Sequence, residues 1–257
     1  MTRRIAFINE KGGSLKTTLT VNVGGYFALR RKERVLIVDL DPQGHAGKCL
    51  GLDVRGAERT VRDLLVDPAL HPRDVAIPSR VEGLDVIVSN KSLTNLPITS
   101  DADSDWVQRL GKQIAKVRGY DWILFDSPPS LGLLSMSVLV ATTEVVIPVN
   151  LTFLALDGCA EIVDTIETLK QRYHRSELRI TLVVPTLYRP TRLANEILDK
   201  LGEHFPGRVA KTVIGYNVKI DEAQSHGLTI FEYAPESAGA EAFEALAREI
   251  LRKGDKG

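Results

Sequence analysis

Short apolar runs rich in β-branched residues alternate with helical patterns along the 257-residue chain. The runs predict strands at Ile5–Ile8, Val35–Asp39, Leu84–Val88, Trp122–Asp126, Val145–Val149 and Ile180–Val184. The helical patterns lie at about Thr17–Arg31, Trp106–Arg118, Leu133–Ala141, Gly158–Tyr173, Thr191–Glu203 and Ser237–Arg252. Nearly continuous apolar strands are typical of parallel strands covered on both faces. We therefore predict an α/β fold, a doubly wound and mostly parallel sheet with helices on both faces.

Length and composition limit the remaining possibilities. The length fits one domain over residues 1–257, with residues 253–257 as a frayed tail. The formal net charge is zero, so binding to nucleic acid or membrane would need a local patch. Cys49 and Cys159 form no metal-ligand pattern, and Met1–Arg4 leads directly into a strand without a secretory leader. We expect a cytoplasmic protein with reduced thiols.

Residues 9–18, with the sequence NEKGGSLKTT, join the first predicted strand to the first predicted helix. Gly12 and Gly13 allow successive backbone amides to face a phosphate, and the helix N-terminus adds partial positive charge. Lys16 can reach the β- and γ-phosphates, and the Thr17 hydroxyl can bind magnesium. A glycine pair alone would favour an ordinary surface turn. The combination of strand, glycine pair, Lys-Thr and helix predicts a site for ATP or ADP with Mg²⁺.

Three aspartates follow strands at the same predicted edge of the sheet. Asp39 and Asp126 end buried strands, where a carboxylate can hold a water on magnesium. Asp41 lies just beyond its strand and can orient the attacking water. A single aspartate at such a position is more often a cap or turn residue. The three together, beside the phosphate loop, predict a metal site of Thr17, Asp39 and Asp126 with Asp41 as a catalytic residue.

The loop departs from its usual form, because Leu15 stands where a glycine usually precedes the lysine, and Lys11 precedes the glycine pair. The pattern KGGxxKT resembles the deviant phosphate loop of the ParA/MinD group of ATPases. Segments 38–44 (VDLDPQG) and 125–129 (FDSPP) also resemble that group. The resemblance implies that Lys11 and Lys16 both act in catalysis. Lys11 would do so by reaching the nucleotide of a second subunit.

The resemblance covers nearly the whole chain. Segments 217–219, 222–223, 225–227 and 237–240 are most similar to the Soj-like chromosome and plasmid partitioning branch of the group. It implies adenine contacts at Pro185 and Thr186 and in the loop at Pro235 and Ser237. The residues of the phosphate loop that it implies contact the nucleotide are Lys11, Gly12, Gly13, Ser14, Leu15, Lys16, Thr17 and Thr18.

Partitioning ATPases of this branch form an ATP-dependent homodimer, bind double-stranded DNA without sequence preference and hydrolyse ATP slowly until a ParB-type partner stimulates them. The resemblance therefore implies association with the nucleoid in the ATP-bound state. It places DNA contacts at Arg189, Arg192 and Lys219. Tyr216 replaces a basic residue of the family, and Gly215 stands where proline is frequent, so we expect weaker DNA binding. A solvated face of mixed charge is the alternative interpretation of these residues.

Two further functions fit the same ATPase core. A MinD-like protein binds a membrane through an amphipathic C-terminal helix, and residues 243–251 contain an apolar stripe of that kind. A helix packed on the sheet gives the same stripe, so membrane binding is the less favoured alternative. A ParA-like positioner of non-DNA cargo would differ only in its partner, which the sequence does not name.

Overall fold

Eight strands form one sheet in the computed structural model, which describes residues 2–96, 104–152 and 155–254. Their order across the sheet is β3-β4-β2-β5-β1-β6-β7-β8. The strands are β1 (Arg3–Phe7), β2 (Val35–Asp39), β3 (Ile77–Pro78), β4 (Leu84–Ile87), β5 (Trp122–Asp126), β6 (Glu144–Asn150), β7 (Arg179–Tyr188) and β8 (Ile214–Gly215). Every neighbouring pair is parallel except β3 with β4. The predicted fold class is confirmed.

Helices connect these strands. They are α1 (Lys16–Arg31), α2 (His45–Cys49), α3 (Val61–Val66), α4 (Ser104–Ile114), α5 (Leu133–Ala141), α6 (Ala155–Arg172), α7 (Arg192–His204), α8 (Val218–Ser225), α9 (Ile230–Tyr233) and α10 (Ala238–Gly254). The predicted Trp106–Arg118 helix ends early because the chain tightens into turns, with Val117 N bonded to Ile114 O. α10 continues through Lys253 and Gly254, and the rest of the predicted tail, residues 255–257, lies outside the described residues.

The sheet is buried on both faces, which explains its apolar strands. In β2, Val35 and Ile37 pack into the core covered by α1 and α10, whereas Leu36 and Val38 pack into the core beneath α4 and α5. A third apolar cluster lies between β6, β7 and the helices α6 and α7. Residues on alternate sides of one strand therefore meet different helices, as expected for a doubly wound sheet.

The order β2-β5-β1 brings the ends of three central strands together. Asp126 at the end of β5 is in register with Asp39 of β2 and with Phe7 of β1. The connections that leave these strands therefore start side by side at the carboxyl edge of the sheet, where open α/β sheets bind their ligands. The three sequence motifs at these strand ends belong to one site.

Candidate nucleotide site

The connection from β1 to α1 has the conformation of a phosphate-binding loop. Gly13 has φ 73° and Leu15 has φ 67°, so both take the left-handed conformation. For leucine this conformation costs about 1–2 kcal/mol, which explains why glycine is usual at this position. Leu15 is also the N-cap of α1, and its side chain makes no capping hydrogen bond. The first N–H groups of α1 therefore lack a side-chain cap and fit a bound phosphate.

Two side chains anchor this loop to the sheet. Asn9 is buried, its Oδ1 accepts a hydrogen bond from Lys11 N at 2.9 Å, and its Nδ2 donates to Pro148 O at 2.7 Å. On the other side, Thr186 Oγ1 donates to Ser14 O at 3.3 Å. The sequence prediction missed Asn9, although a polar residue directly after a buried strand is a signal for such a role. These bonds hold the loop in place before a ligand binds.

The two lysines of the loop have different surroundings. Lys16 is buried, and its Nζ donates to Lys11 O at 3.0 Å. Burial lowers the pKa of Lys16, while Asp126 and Asp41 oppose that shift. Lys11 is half-buried, and its Nζ has one hydrogen bond, at 3.4 Å to Thr152 Oγ1, and no ion pair within the described residues. Lys16 therefore points inward and Lys11 is open to a second molecule.

The carboxylates beside the loop are arranged to share a cation. Thr17 Oγ1 donates to Asp126 Oδ2 at 2.6 Å, and the buried Asp126 Oδ1 has no hydrogen-bond partner within the described residues. Burial raises the pKa of Asp126 to about 7, and the Thr17 hydrogen bond opposes this shift. Burial, together with Asp126, raises the pKa of Asp39 well above its usual range. A divalent cation would relieve both costs.

The donor set fits magnesium bound together with phosphates. The described residues contain no cluster of three or more His, Cys, Asp or Glu side chains that could hold an ion alone. Thr17 and the neighbouring carboxylates thus supply only a few oxygen ligands or contacts to water. Mg²⁺ is usually held in this way, through one or two protein groups, several waters and the phosphates of the substrate.

The turn after β2 is held against the neighbouring strand. Asp39 Oδ1 accepts from Asp41 N at 2.9 Å, and its Oδ2 accepts from Ala46 N at 3.0 Å. Asp41 is buried, and its Oδ1 accepts from Gln43 N at 2.9 Å. Gly44 has φ 63°, and a Cβ there would lie 2.3 Å from Ser89 O. Glycine is therefore required at this turn, which places Asp41 near Lys16 and Asp126.

The residues predicted to contact adenine occupy two regions. Pro185 and Thr186 are buried near the end of β7, and Thr186 contacts the phosphate loop. Pro235 is exposed, and Ser237 Oγ donates to Ala234 O at 2.7 Å and accepts from Ala240 N at 3.2 Å at the start of α10. Within the described ranges no hydrogen bond joins Pro235 or Ser237 to residues 9–18. Their adenine role stays a prediction.

Thr18 connects the loop to a later helix. Its hydroxyl accepts a hydrogen bond from Gln224 Nε2 at 2.7 Å. That bond engages the hydroxyl, whereas the Thr18 N–H lies in the uncapped first turn of α1 and is the group suited to a phosphate. Gln224 was not a predicted residue, because no local pattern relates positions 206 residues apart. The bond attaches α8 directly to the first turn of α1.

The predicted DNA residues lie on exposed connections at the β7–β8 edge. Arg192 Nε pairs with Glu196 at 2.8 Å, and Lys219 Nζ pairs with Glu222 at 2.7 Å, while Arg189 follows β7 directly. Pairing of Tyr188 with Gly215 brings the two connections together. The exposed large apolar side chains of the described residues are in this region, namely Leu193 (48% exposed), Tyr216 (57%) and Val218 (53%). This surface therefore carries both charged and apolar side chains, and two of its cations are already paired with glutamates.

Comparison with known proteins agrees with this geometry. A family described as an AAA domain matches residues 2–180. The sporulation initiation inhibitor protein Soj of Bacillus subtilis is 39% identical over 256 residues, which cover 99% of this chain and 100% of the relative. The chain belongs to the ParA/MinD group of ATPases. Among other members of the ParA/MinD group, the chromosome-partitioning ATPase Soj of Treponema pallidum is 38% identical over 98% of both chains.

A solved structure of similar fold extends the comparison. Cobyrinic acid a,c-diamide synthase from Mycobacterium smegmatis, with bound ADP and magnesium, has a TM-score of 0.83 and 27% identity. The match covers 100% of this chain and 97% of the other. Both the sheet and the phosphate loop thus belong to a fold that binds a nucleotide with magnesium in a related protein. The predicted family and ATPase activity are confirmed.

Proposed function

We propose that this ParA/MinD-group ATPase moves or positions chromosome or plasmid DNA. ATP with magnesium makes it a homodimer that binds double-stranded DNA without sequence preference, in the cytoplasm and on the nucleoid. The observation that carries the proposal is the loop with an inward Lys16 and an open Lys11, in a chain similar to Soj proteins over its whole length. Slow hydrolysis, stimulated by a ParB-type partner, returns the dimer to monomers.

The site binds ATP and Mg²⁺ through residues of one chain. The N–H groups of the loop and the α1 N-terminus face the phosphates, and Lys16 exchanges its bond to Lys11 O for a phosphate oxygen. Thr17 and Asp126 would hold the metal, with Asp39 beside them. When bound, magnesium neutralises charge on the β- and γ-phosphates. The buried, unpartnered Asp126 Oδ1 supports this arrangement.

Asp41 and Lys11 complete the hydrolytic site. Asp41 is fixed by the turn after β2 and orients the water that attacks the γ-phosphate. Lys11 of one subunit contributes its charge to the nucleotide of the other, as an arginine finger does. A single chain therefore lacks one cation of the site. Slow hydrolysis by the monomer follows from this division of the site between subunits.

DNA contacts come from Arg189, Arg192 and Lys219 in each subunit. Glu196 and Glu222 compete with the phosphates for two of these cations. Tyr216 is exposed and can donate one hydrogen bond to a phosphate, but it adds no charge. Each ionic contact contributes about 0.9 to the slope of log affinity against log salt. Binding is therefore weak at physiological salt and strengthens at low salt.

Retention of random duplex DNA tests this function. The wild-type protein is titrated at low salt with ATP and with ADP, beside a triple variant, Arg189→Gln, Arg192→Gln and Lys219→Gln. The matched control is Arg59→Gln, which removes an exposed arginine before α3, where Val61 N bonds to Val88 O after β4, across the sheet from β7 and β8. We expect binding with ATP that the triple variant loses and the control keeps. Equal absence of wild-type binding in both nucleotide states would refute the DNA function.

The ParB-type partner is tested separately through gene context and activity. A neighbouring reading frame for a ParB-like protein, with centromere-like repeats nearby, supplies the candidate activator. We expect the purified candidate to raise the ATPase rate of this protein, more strongly when DNA is present. An unchanged rate with a partner that binds its own repeats would point to different cargo.

Burial of α10 argues against membrane attachment. Phe243, Leu246 and Ile250 are each 0% exposed and pack with α1 and the sheet. The apolar stripe of the C-terminal helix is therefore used within the fold and is not available to a bilayer. Separately, none of the described helices is long and apolar enough to span a membrane. Sedimentation with anionic liposomes and ATP is expected to leave the protein in the supernatant.

A further inference from the structure

A second cleft lies at the amino edge of the sheet, opposite the nucleotide loop. Its volume is about 700 Å³. The walls come from the starts of β1, β5, β6 and β7 and from the end of α4 with the turn after it. Nothing in the proposed ATPase cycle uses this edge, since the phosphate loop and its aspartates follow the opposite ends of the strands.

The cleft has more positive than negative side chains. Four arginines, Arg3, Arg4, Arg118 and Arg179, and two glutamates, Glu144 and Glu177, line it. Both glutamates already have partners. Glu144 accepts from Arg3 Nε at 2.8 Å and Arg3 Nη2 at 2.7 Å, and it also lies 3.9 Å from Arg179. Glu177 pairs with Arg175 at 3.0 Å.

Two guanidinium groups of the cleft make no ion pair within the described residues. Arg4 is half-buried and has no ion pair or side-chain hydrogen bond within the described part of the chain. Burial lowers the pKa of Arg4, as does the neighbouring Arg175, and Glu177 opposes this shift. Among the residues that the structure describes, Arg118 donates only to carbonyl oxygens, at 2.6 Å to Ala115 and 2.8 Å to Val117. The net shift is downward, so Glu177 offsets only part of the cost of burying Arg4 beside Arg175, and a further anion would stabilise this cation.

We propose that this cleft binds a small phosphate-bearing anion, with Arg4 and Arg118 as its main ligands. The planar fork of a guanidinium matches two phosphate oxygens at once. The volume is large enough for a mononucleotide, and small-molecule sites have volumes of about 300–1,000 Å³. The recessed position of Arg4 favours a small anion over the outer surface of a rigid duplex. The site is separate from the nucleotide loop and does not depend on the proposed DNA function.

Titration calorimetry with the loop already filled tests the proposal. The protein is saturated with ADP and Mg²⁺ and then titrated with inorganic phosphate or with uridine 5′-monophosphate. We expect saturable binding of at least one probe by the wild type. Binding of both at similar affinity assigns recognition to the phosphate group itself, and tighter binding of the nucleotide assigns a role to its nucleoside. Both outcomes support the site, and no saturable binding of either probe overturns it.

Variants locate the binding. Arg4→Gln and Arg118→Gln are each expected to weaken binding about tenfold, the effect of one lost charge-assisted hydrogen bond. Arg59→Gln is the control: Arg59 is exposed, does not line the cleft and lies two residues before Val61, whose N–H bonds to Val88 O after β4, so this variant should have no effect. Melting temperature and ADP affinity establish that each variant is folded. Unchanged binding in both cleft variants would overturn the proposal, and so would a loss of duplex DNA retention without any loss of small-anion binding.

Discussion

At the scale of single residues, the surroundings of the two loop lysines separate their roles. Lys16 is buried beside Asp41 and Asp126, whereas the one hydrogen bond of Lys11 Nζ within the described residues is to Thr152, at 3.4 Å. A lysine that points inward, such as Lys16, is placed to bind the phosphates held by its own chain. A lysine without an ion pair in the part of the chain that the structure describes, such as Lys11, is available to bind the nucleotide of a second subunit.

Lys16→Ala removes the inward cation. We expect ATP affinity to fall by about ten- to a hundredfold, because a hydrogen bond to a charged group contributes about 1.5–3 kcal/mol. Fluorescent-nucleotide titration measures the change. Lys91→Ala, which removes an exposed lysine that lies after β4 and outside the loop, is the control and should bind ATP normally. Wild-type affinity in Lys16→Ala would contradict the placement of Lys16 on the phosphates.

Lys11→Ala tests the open cation. We expect ATP binding to stay within about threefold of wild type, because Lys11 makes no ion pair in its own chain within the described residues. Stimulated hydrolysis should fall by about 10³-fold or more, the contribution of a cation supplied by a partner subunit. Steady-state rates with DNA and activator measure this loss. A normal rate would exclude the role in trans.

Asp41→Ala removes the carboxylate that we propose orients the attacking water. The expected outcome is hydrolysis slowed by about 10²- to 10⁴-fold, the usual contribution of a positioned acid or base. Nucleotide binding should persist, because Asp41 is not among the proposed metal ligands. Single-turnover hydrolysis of ATP gives the rate. If Asp41→Ala hydrolysed ATP as fast as the wild type, another group would have to orient the water.

The loop and its aspartates could be predicted because their chemistry depends on local spacing. Lys16, Thr17 and the acidic strand ends lie within short motifs whose geometry follows from strand, turn and helix. Asn9, Gln224 and the arginine cleft could not be predicted in this way. Gln224 meets Thr18 across 206 residues, and Arg4 meets the end of α4 only after the sheet has formed. Such contacts depend on tertiary packing, which a single sequence does not specify.

At the scale of secondary-structure elements, α10 shows how one pattern fits two functions. The amphipathic stripe at the C-terminus is compatible with a membrane surface or with the core, and the sequence left both open. Phe243 and Ile250 are buried with α1, and Glu249 accepts hydrogen bonds from Lys211 N and Thr212 N. The helix is therefore fixed on both its apolar and polar sides.

The short strands β3 and β8 were not predicted from the sequence. Each has only two residues, which are too few to show the alternation that identifies a strand.

Phe243→Ala tests whether α10 is part of the core. We expect the free energy of unfolding to fall by about 3–5 kcal/mol, the usual cost of removing a buried phenylalanine. Arg248→Ala, on the exposed side of the same helix, should change it by less than about 1 kcal/mol, because exposed ion pairs contribute little. Urea unfolding compares the two. A small loss for Phe243→Ala would indicate a loosely attached helix and reopen the membrane interpretation.

At the scale of the whole molecule, the proposed function divides the nucleotide site between two chains. In this proposal one chain supplies the phosphate loop, the metal contacts and Asp41, and the second supplies Lys11. ATP would then be an assembly signal, and hydrolysis would end the assembly. The proposed DNA binding would benefit from this division, since a dimer presents two sets of Arg189, Arg192 and Lys219 to one duplex and doubles the number of ionic contacts.

The mass of the protein in solution tests this account most directly. Light scattering after size exclusion is run on the wild type with ADP, on Asp41→Ala with ATP, and on the double variant Lys11→Ala and Asp41→Ala with ATP. We expect a monomer, a dimer and a monomer, respectively. A monomer for Asp41→Ala under saturating ATP, or a dimer for the double variant, would contradict a site shared through Lys11.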